Sequence, residues 1–224
     1  MRPYRASREL VRLLLIRHAE STGNAESRLQ GRRNFPLTPH GERQAESLAH
    51  RLQEMDVSAV YASPLLRAMQ TAEYVAAACG VAVTSDARIQ EYDFGEAVSG
   101  LTWDVIRERH PDVIAAMRTN DSAFPRYPGE EGRGVFSQRV AAALAEIRER
   151  HSNAHAVAVV THAGPIVVHI MDVVGRSYAR PIPFTIDNAS ITTIACDKPE
   201  SFAGAVVIGI NDTCHLRDLA ATLD

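Results

Sequence analysis

The sequence has few of the features that mark secreted, membrane-spanning or nucleic-acid-binding proteins. Its 224 residues include only three cysteines, which lie far apart and outside any CxxC motif, so neither a disulfide framework nor a cysteine zinc site is expected. No apolar run approaches the length that crosses a bilayer, and the basic N-terminal segment lacks the apolar core of a signal peptide. The net charge of −3 gives no general attraction for nucleic acid. We therefore predict a cytoplasmic protein without a nucleic-acid or membrane partner.

Lysine is almost absent from the chain. Lys198 is the only lysine among the 24 lysines and arginines. The chain is also rich in alanine, so this bias is in keeping with genomic composition and does not by itself indicate a function. Each arginine therefore has to be interpreted from its position.

Short apolar runs alternate with amphipathic segments along the chain. The runs lack helical period and are short, which is typical of buried strands. A last pair of runs is predicted to form an antiparallel hairpin. The strands are predicted at 10–16, 57–63, 81–84, 156–161, 190–196 and 204–210. This alternation predicts an α/β fold, a three-layer α/β/α sandwich around a mostly parallel sheet with one antiparallel strand.

The helices between these strands have recognisable start signals. Thr38 is expected to cap one helix, with Pro39 at its first position. Ser63 and Pro64 are expected to open the next helix, and residues 137–150 carry a further apolar stripe.

Polar residues follow four of the predicted strands at the point where each strand ends. Arg17 and His18 end the first strand, and Arg67 lies one turn into the helix after the second. Glu91 follows the third strand, and His162 ends the fourth. Ligands of open α/β sheets bind beyond the carboxyl ends of the strands. Arginines bind phosphate oxygens through paired N–H groups. Histidine can act as a nucleophile or as a hydrogen-bond donor, and a carboxyl group can protonate a leaving alcohol.

The segment 92–136 differs from the rest of the chain. It contains many glycines and prolines together with Trp103 and two short helical patterns. We predict an irregular segment that covers the candidate site, within a single domain formed by residues 1–224.

Five segments of the chain resemble the histidine phosphatase superfamily, the phosphoglycerate-mutase-like group, in its first branch. They occur in the family's order and spacing, so together they are far more specific than any one of them. The segments are RHAESTGN, RLQGRRNFPLTPHGERQA, SPLLRAMQTA, QEYDFGEAVSG and VVTHAGPI. One departure is Ala19, which stands where the family usually has glycine.

The resemblance implies a role for each polar strand-end residue. His18 resembles the phosphate-accepting nucleophile, and Glu91 resembles the general acid, with Asp93 and Glu96 as neighbouring alternatives. The residues that would bind the phosphoryl group or substrate are Arg17, Asn24, Gln30, Gly31, Arg67 and His162, although a loop-bracing role for Gln30 stays open. The resemblance implies no cofactor and no metal, because the arginines supply the positive charge.

Several functions remain open at this point. A small phosphate ester is the expected partner, and we predict a phosphomonoester phosphatase because the chain lacks the longer insertions of phosphoglycerate mutases. A mutase is the second candidate. His18, His162 and Glu91 also form a two-histidine, one-carboxylate set that suits a metal, although the arginines argue against it. A phosphoprotein-binding module without turnover is the remaining alternative, and a homodimer stays open.

Overall fold

A computed structural model describes residues 10–118, 129–176, 182–196 and 204–220. Its described strands form one six-stranded sheet in the order β3-β2-β4-β1-β5-β6. Only β5 runs against its neighbours, so the predicted mostly parallel sheet with one antiparallel strand is confirmed. The strands are β1 (Val11–Arg17), β2 (Val57–Ala62), β3 (Val83–Ser85), β4 (Ala156–Thr161), β5 (Ile191–Cys196) and β6 (Ala205–Asp212).

Eight α-helices connect or flank the described strands. They are α1 (Thr22–Ala25), α2 (Pro39–Gln53), α3 (Leu66–Cys79), α4 (Trp103–Arg109), α5 (Pro111–Arg118), α6 (Arg133–Arg150), α7 (Ala163–Val173) and α8 (Arg217–Ala220). Two short 3₁₀ helices lie at Ala87–Ile89 and Cys214–Leu216. The hydroxyl of Thr38 accepts a hydrogen bond from the amide of Gly41 at 2.9 Å, and Pro39 is the first residue of α2, as predicted.

Strand ends lie within two residues of the predicted ones, whereas two helix starts differ for a physical reason. Ser63 and Pro64 do not open α3, because the hydroxyl of Ser63 bonds to His162 and the helix begins only at Leu66, after Leu65 in an extended conformation. Helix α6 begins at Arg133, four residues before the predicted start, because the apolar stripe that located it begins only farther along the helix.

Strand β1 shows how the sheet obtains two buried faces. Successive side chains of a strand point to opposite faces. Leu13 and Leu15 pack with α6 and α7 on one face, whereas Leu14 and Ile16 pack with α2 and α3 on the other. All four side chains are at most 1% exposed, and each contributes about 1.5–3 kcal/mol by leaving water. The central strands are therefore fixed from both sides, and their carboxyl ends are held at a definite position.

The segment 92–136 is described except for residues 119–128, which lie outside the described part of the chain. Val98, which precedes α4, forms a small apolar cluster with Ile106 of α4, Val113 of α5 and Leu29, which belongs to the loop after β1. The amide of Leu29 also donates to the carbonyl of Leu101 at 2.9 Å. The segment is thus attached to the loop that leads away from Arg17 and His18.

Candidate active site

The adjacent carboxyl ends of β1 and β4 bring His18 and His162 together. Arg17 is in register with Thr161, and the amide of His18 donates to the carbonyl of Thr161 at 2.9 Å. The ring centroids of the two histidines are 5.1 Å apart, and the residues are 3% and 0% exposed. The strand-end rule thus predicted the meeting of these two side chains.

Both nitrogens of the His18 ring have partners. Nδ1 lies 2.7 Å from the carbonyl oxygen of Ala19, which can only accept, so Nδ1 carries the proton. Nε2 then has a free lone pair and accepts a hydrogen bond from Nε of Arg67 at 3.1 Å. Ala19 does not adopt a positive φ, so the alanine in place of the family's glycine causes no backbone strain. The contacts therefore leave Nε2 as the unprotonated nitrogen.

Burial and nearby positive charge keep His18 neutral. Loss of hydration lowers the pKa of His18 well below its usual value, and the charges of Arg67 and Arg17 lower it further. The same loss of hydration, together with Arg67, holds the pKa of His162 well below its usual value. At neutral pH both imidazoles are therefore uncharged.

Arg67 is almost wholly buried at the base of the site. It is 1% exposed, and its two terminal nitrogens donate to the carbonyls of Gly31 and Arg33, each at 2.9 Å. Burial lowers the pKa of Arg67 to about 10, although the charge of Glu91 opposes the shift. Arg67 therefore stays protonated at neutral pH, with its guanidinium fixed beside His18.

Arg17 is the second cation of the cluster. Its Nη1 donates to the carbonyl of Ile186 at 2.6 Å, and its buried Nε has no hydrogen-bond partner among the described residues. Burial lowers the pKa of Arg17, while the charges of Glu91 and Asp187 raise it. An anion at this position would supply the missing acceptor.

Glu91 is the carboxylate that faces this cluster. Its Oε1 accepts from the amide of Tyr92 at 2.8 Å, and its Oε2 accepts from the amide of Gly164 at 3.2 Å. A Cβ at Gly164 would lie 2.1 Å from Oε1, so the position requires glycine for the carboxylate to fit. The charge of Glu91 acts on both Arg17 and Arg67. Glu91 therefore lies beside the arginine pair.

The two neighbouring carboxylates are directed elsewhere. Asp93 lies 3.5 Å from Arg32 and accepts from the amide of Gly95 at 2.9 Å. Glu96 is 95% exposed and lies 3.6 Å from Arg33. Neither contacts the histidine pair in the described structure, which favours Glu91 over both as the candidate acid.

Asn24, Gln30 and Gly31 support the cluster through hydrogen bonds to Ser21 and Arg67. The Oδ1 atom of Asn24 accepts from the amide of Ser21 at 3.1 Å, and the Oε1 atom of Gln30 accepts from the hydroxyl of Ser21 at 2.9 Å. Gly31 bonds to Arg67 through its carbonyl. These contacts show Gln30 and Gly31 bracing the loop, and their direct binding of substrate stays a prediction.

Sequence reasoning missed two polar side chains of the site. The hydroxyl of Ser63 lies 2.8 Å from Nε2 of His162. Asn188 donates to the carbonyl of His18 at 2.9 Å and to Oδ1 of Asn24 at 3.2 Å. Asn188 precedes β5, and the amino end of an antiparallel strand lies at the same edge as the carboxyl ends of its parallel neighbours. That rule would have pointed to Asn188.

An outer cavity of about 520 Å³ lies next to the cluster. It adjoins the loop whose carbonyls hold Arg67, and its wall contains both charge signs. The cavity is lined by Arg32, Arg33, Asp93, Gly95, Glu96, Ala97, Ser99 and Gly129. Its mixed charge contrasts with the concentrated positive charge around His18.

The described residues contain no group of three or more histidine, cysteine, aspartate or glutamate side chains placed to hold a metal ion. His18, His162 and Glu91 instead bond to Arg67, Ser63 and backbone amides, respectively. The metal alternative therefore has no geometric support among the described side chains.

The chain is similar in sequence and in fold to known proteins. The chain matches the model of the histidine phosphatase superfamily (branch 1) over residues 13–206. It is 32% identical over 209 residues to phosphoserine phosphatase 1 of Hydrogenobacter thermophilus, covering 93% of this chain and 96% of that protein. It is 30% identical over 215 residues to a probable phosphoglycerate mutase GpmB of Klebsiella pneumoniae, covering 92% and 95%.

The fold is also similar to that of a solved structure. YhfR of Bacillus stearothermophilus superimposes with a TM-score of 0.80 at 28% identity, covering 92% of this chain and 99% of that one.

No helix in the described part of the chain has the length and apolar character needed to cross a membrane.

Proposed function

The chain belongs to the histidine phosphatase superfamily, branch 1, and from that membership we propose that it is a metal-independent phosphomonoester phosphatase acting through a phosphohistidine at His18. One observation carries this proposal. His18 is held as the neutral tautomer by the carbonyl of Ala19, and its unprotonated Nε2 accepts a hydrogen bond from Nε of Arg67. A buried histidine with one unprotonated nitrogen among arginines suits attack on a phosphate.

In the first step, Nε2 of His18 attacks phosphorus in line with the leaving oxygen. The N–P bond forms while the P–O bond breaks, and Glu91 in its protonated form gives its proton to the leaving alcohol. Arg17, Arg67 and His162, with Asn24 behind them, bind the oxygens of the transferring group. Fixed donors of this kind provide most of the catalysis in phosphoryl transfer.

In the second step, water attacks the phosphohistidine. Glu91, now a carboxylate, accepts a proton from the water, a new P–O bond forms, and the N–P electron pair returns to Nε2. Inorganic phosphate leaves, and both groups are restored to their starting states. His18 and Glu91 therefore complete the cycle without another proton donor.

A phosphoglycerate mutase is the second candidate, since one relative carries that name. A mutase would return the phosphoryl group to a second hydroxyl instead of to water. Chain length does not separate the two candidates, because the alignment covers 95% of the mutase relative. We favour the phosphatase because a relative with 32% identity over 93% of this chain is named a phosphatase. A relative named for phosphoserine makes phosphorylated amino acids suitable first substrates.

Turnover of a panel of phosphate monoesters in the presence of EDTA tests the proposal. The panel includes phosphoserine, phosphoglycerates, sugar phosphates and nucleotides. Release of inorganic phosphate with EDTA present is expected for at least one ester. Loss of all turnover on EDTA treatment would favour the metal site formed by His18, His162 and Glu91. Tight phosphopeptide binding without turnover would favour the phosphoprotein-binding module.

We further propose that residues 1–224 act as one domain in the cytoplasm. Cys79, Cys196 and Cys214 lie far apart in the sequence and outside any CxxC motif, which supports a reducing compartment. Sedimentation measurements would decide whether the chain forms a homodimer.

A further inference from the structure

Glu91 belongs to an irregular stretch, residues 88–93, which we call the acid loop. Apart from the 3₁₀ turn Ala87–Ile89, this loop lies outside any helix or strand. Backbone groups in such a loop need partners from elsewhere in the chain, because buried polar groups are otherwise costly. Three carbonyls of the acid loop find their partner on a distant element, helix α6.

Arg139 on α6 supplies those partners. Its Nη1 donates to the carbonyls of Arg88 and Gln90 at 2.7 and 2.8 Å, and its Nη2 donates to the carbonyl of Glu91 at 2.9 Å. Arg139 lies 48 residues from Glu91 in sequence. One guanidinium therefore holds three carbonyls of the acid loop, including that of the candidate acid.

Glu131 orients the guanidinium of Arg139. Its two carboxylate oxygens accept from Nη2 and Nε of Arg139 at 2.7 and 2.9 Å. Together with the three carbonyls, this pairing uses all five N–H donors that an arginine has. The rotation of the guanidinium is thereby fixed.

Glu131 also contacts the far end of the acid loop directly. It accepts from the amide of Asp93 at 2.8 Å, and its own amide donates to the carbonyl of Asp93 at 3.1 Å. Burial opposes the charged form of Glu131, but its hydrogen bonds with Arg139 and Asp93 and the charges of Arg139 and Arg32 outweigh burial, so its pKa is lowered. The pair Glu131–Arg139 is therefore an ion pair at neutral pH.

The side-chain carboxylate and the backbone carbonyl of Glu91 are thus held by different groups. Amides of Tyr92 and Gly164 hold its carboxylate, while Arg139 holds its carbonyl. Movement of the loop backbone would displace the carboxylate from α7 and from the leaving oxygen. The reacting groups themselves do not touch Arg139 in this arrangement.

We propose that Arg139 and Glu131 are positioning residues that act through Glu91. Arg139 fixes the acid loop by its backbone, and Glu131 fixes Arg139 and the end of the loop. This inference rests on the proposed function, in which Glu91 protonates the leaving group. It predicts that a defect at Arg139 is seen most with substrates that need such protonation.

The test compares an alkyl phosphate with 4-nitrophenyl phosphate. An alkyl leaving group needs the proton from Glu91, whereas nitrophenolate leaves well without it. Arg139→Lys keeps the positive charge but has only three donors and no fork. We expect kcat/KM for the alkyl phosphate to fall roughly 100-fold, the scale of a small misplacement of a catalytic group, and that for the aryl phosphate to fall much less.

Two further measurements separate positioning from a loss of folding. The inhibition constant of inorganic phosphate should be unchanged in Arg139→Lys, because phosphate is bound by Arg17 and Arg67. In a Glu91→Gln background, Arg139→Lys should not change the aryl-to-alkyl ratio further, because it acts through the group already lost. Arg107→Lys on α4 is the control, since its side chain is 54% exposed and pairs with Asp104.

The outcomes are distinct. Equal losses on both substrates, with a lower thermal midpoint, would overturn the positioning role and leave a structural one. If Arg139→Lys does not fold, Glu131→Gln, which keeps the shape but removes the charge, should shift the ratio in the same direction, and an unshifted ratio would also overturn the proposal. A wild-type protein that turns over neither substrate, while Glu91 and Arg139 variants fold normally, would refute the proposed function and the positioning role with it.

Discussion

The cluster around His18 and the outer cavity beside it differ in how their charges are held. In the cluster, Arg67 is 1% exposed and bonds to His18 and to two backbone carbonyls. At the outer cavity, Arg33 is 52% exposed and lies 3.6 Å from Glu96, which is itself 95% exposed. Buried side chains held by several hydrogen bonds keep one geometry, while exposed side chains are screened by water and can rearrange.

This difference separates two tasks. The cluster has the fixed donors that phosphoryl transfer needs, and these are the residues by which the chain resembles its family. The outer cavity holds both charge signs, and we propose that it contacts the alcohol part of a substrate. Substitutions in the two regions should therefore differ in size and in dependence on substrate.

The largest effect is expected from His18→Ala. It removes the proposed nucleophile, so turnover of every substrate should fall roughly 10³-fold or more. His50→Ala, an exposed histidine on α2, is the matched control. The thermal midpoint should change little, because the ring of His18 lies at a strand end and not in the apolar core. Substantial remaining activity with an unchanged pH profile would contradict the assignment.

A smaller but still general effect is expected from Arg67→Ala. Loss of one fixed donor raises the barrier by about 3–4 kcal/mol, so kcat/KM should fall 10²–10³-fold on all esters. The inhibition constant of inorganic phosphate should rise as well. Arg43→Ala, an exposed arginine on α2, serves as the control. A kinetically silent Arg67→Ala would mean that the second arginine of the site has been misassigned.

The strand-end residues of the cluster follow from local rules. Leu13 to Ile16 form an apolar run that has to be buried, and the polar Arg17 and His18 stand where that run ends. Thr38 and Pro39 give α2 its start by capping and by ring geometry. Where one short stretch of sequence decides the conformation, the prediction succeeds.

Other parts of the site depend on contacts between distant residues. Ser63 followed by proline has the appearance of a helix start, yet its hydroxyl is bound to His162, which no local pattern reveals. Arg139 bonds to backbone carbonyls, and carbonyls leave no mark in the sequence. Asn188 lies before β5, and the strand-end rule reaches it only once β5 is known to run antiparallel to β1, which depends on a distant strand.

The smallest effect is expected from Arg33→Ala at the outer cavity. Its carbonyl still accepts from Arg67, so the cluster should be unchanged. An exposed ion pair contributes about 0–1 kcal/mol, so kcat/KM should change no more than about fivefold, and mainly for esters with a charged alcohol part. Arg107→Ala, with a 54% exposed side chain on α4, is the control. Equal losses on charged and neutral esters would erase the distinction between the two regions.

The central claim, a covalent phosphohistidine at His18, is tested most directly by trapping it. Enzyme is mixed with substrate labelled in its phosphate and denatured in alkali, because the P–N bond is labile to acid. We expect label on the peptide that contains residues 14–24, no label in His18→Ala, and decay of the label into inorganic phosphate. Robust turnover with no labelled peptide, on slow and fast substrates alike, would contradict the covalent mechanism.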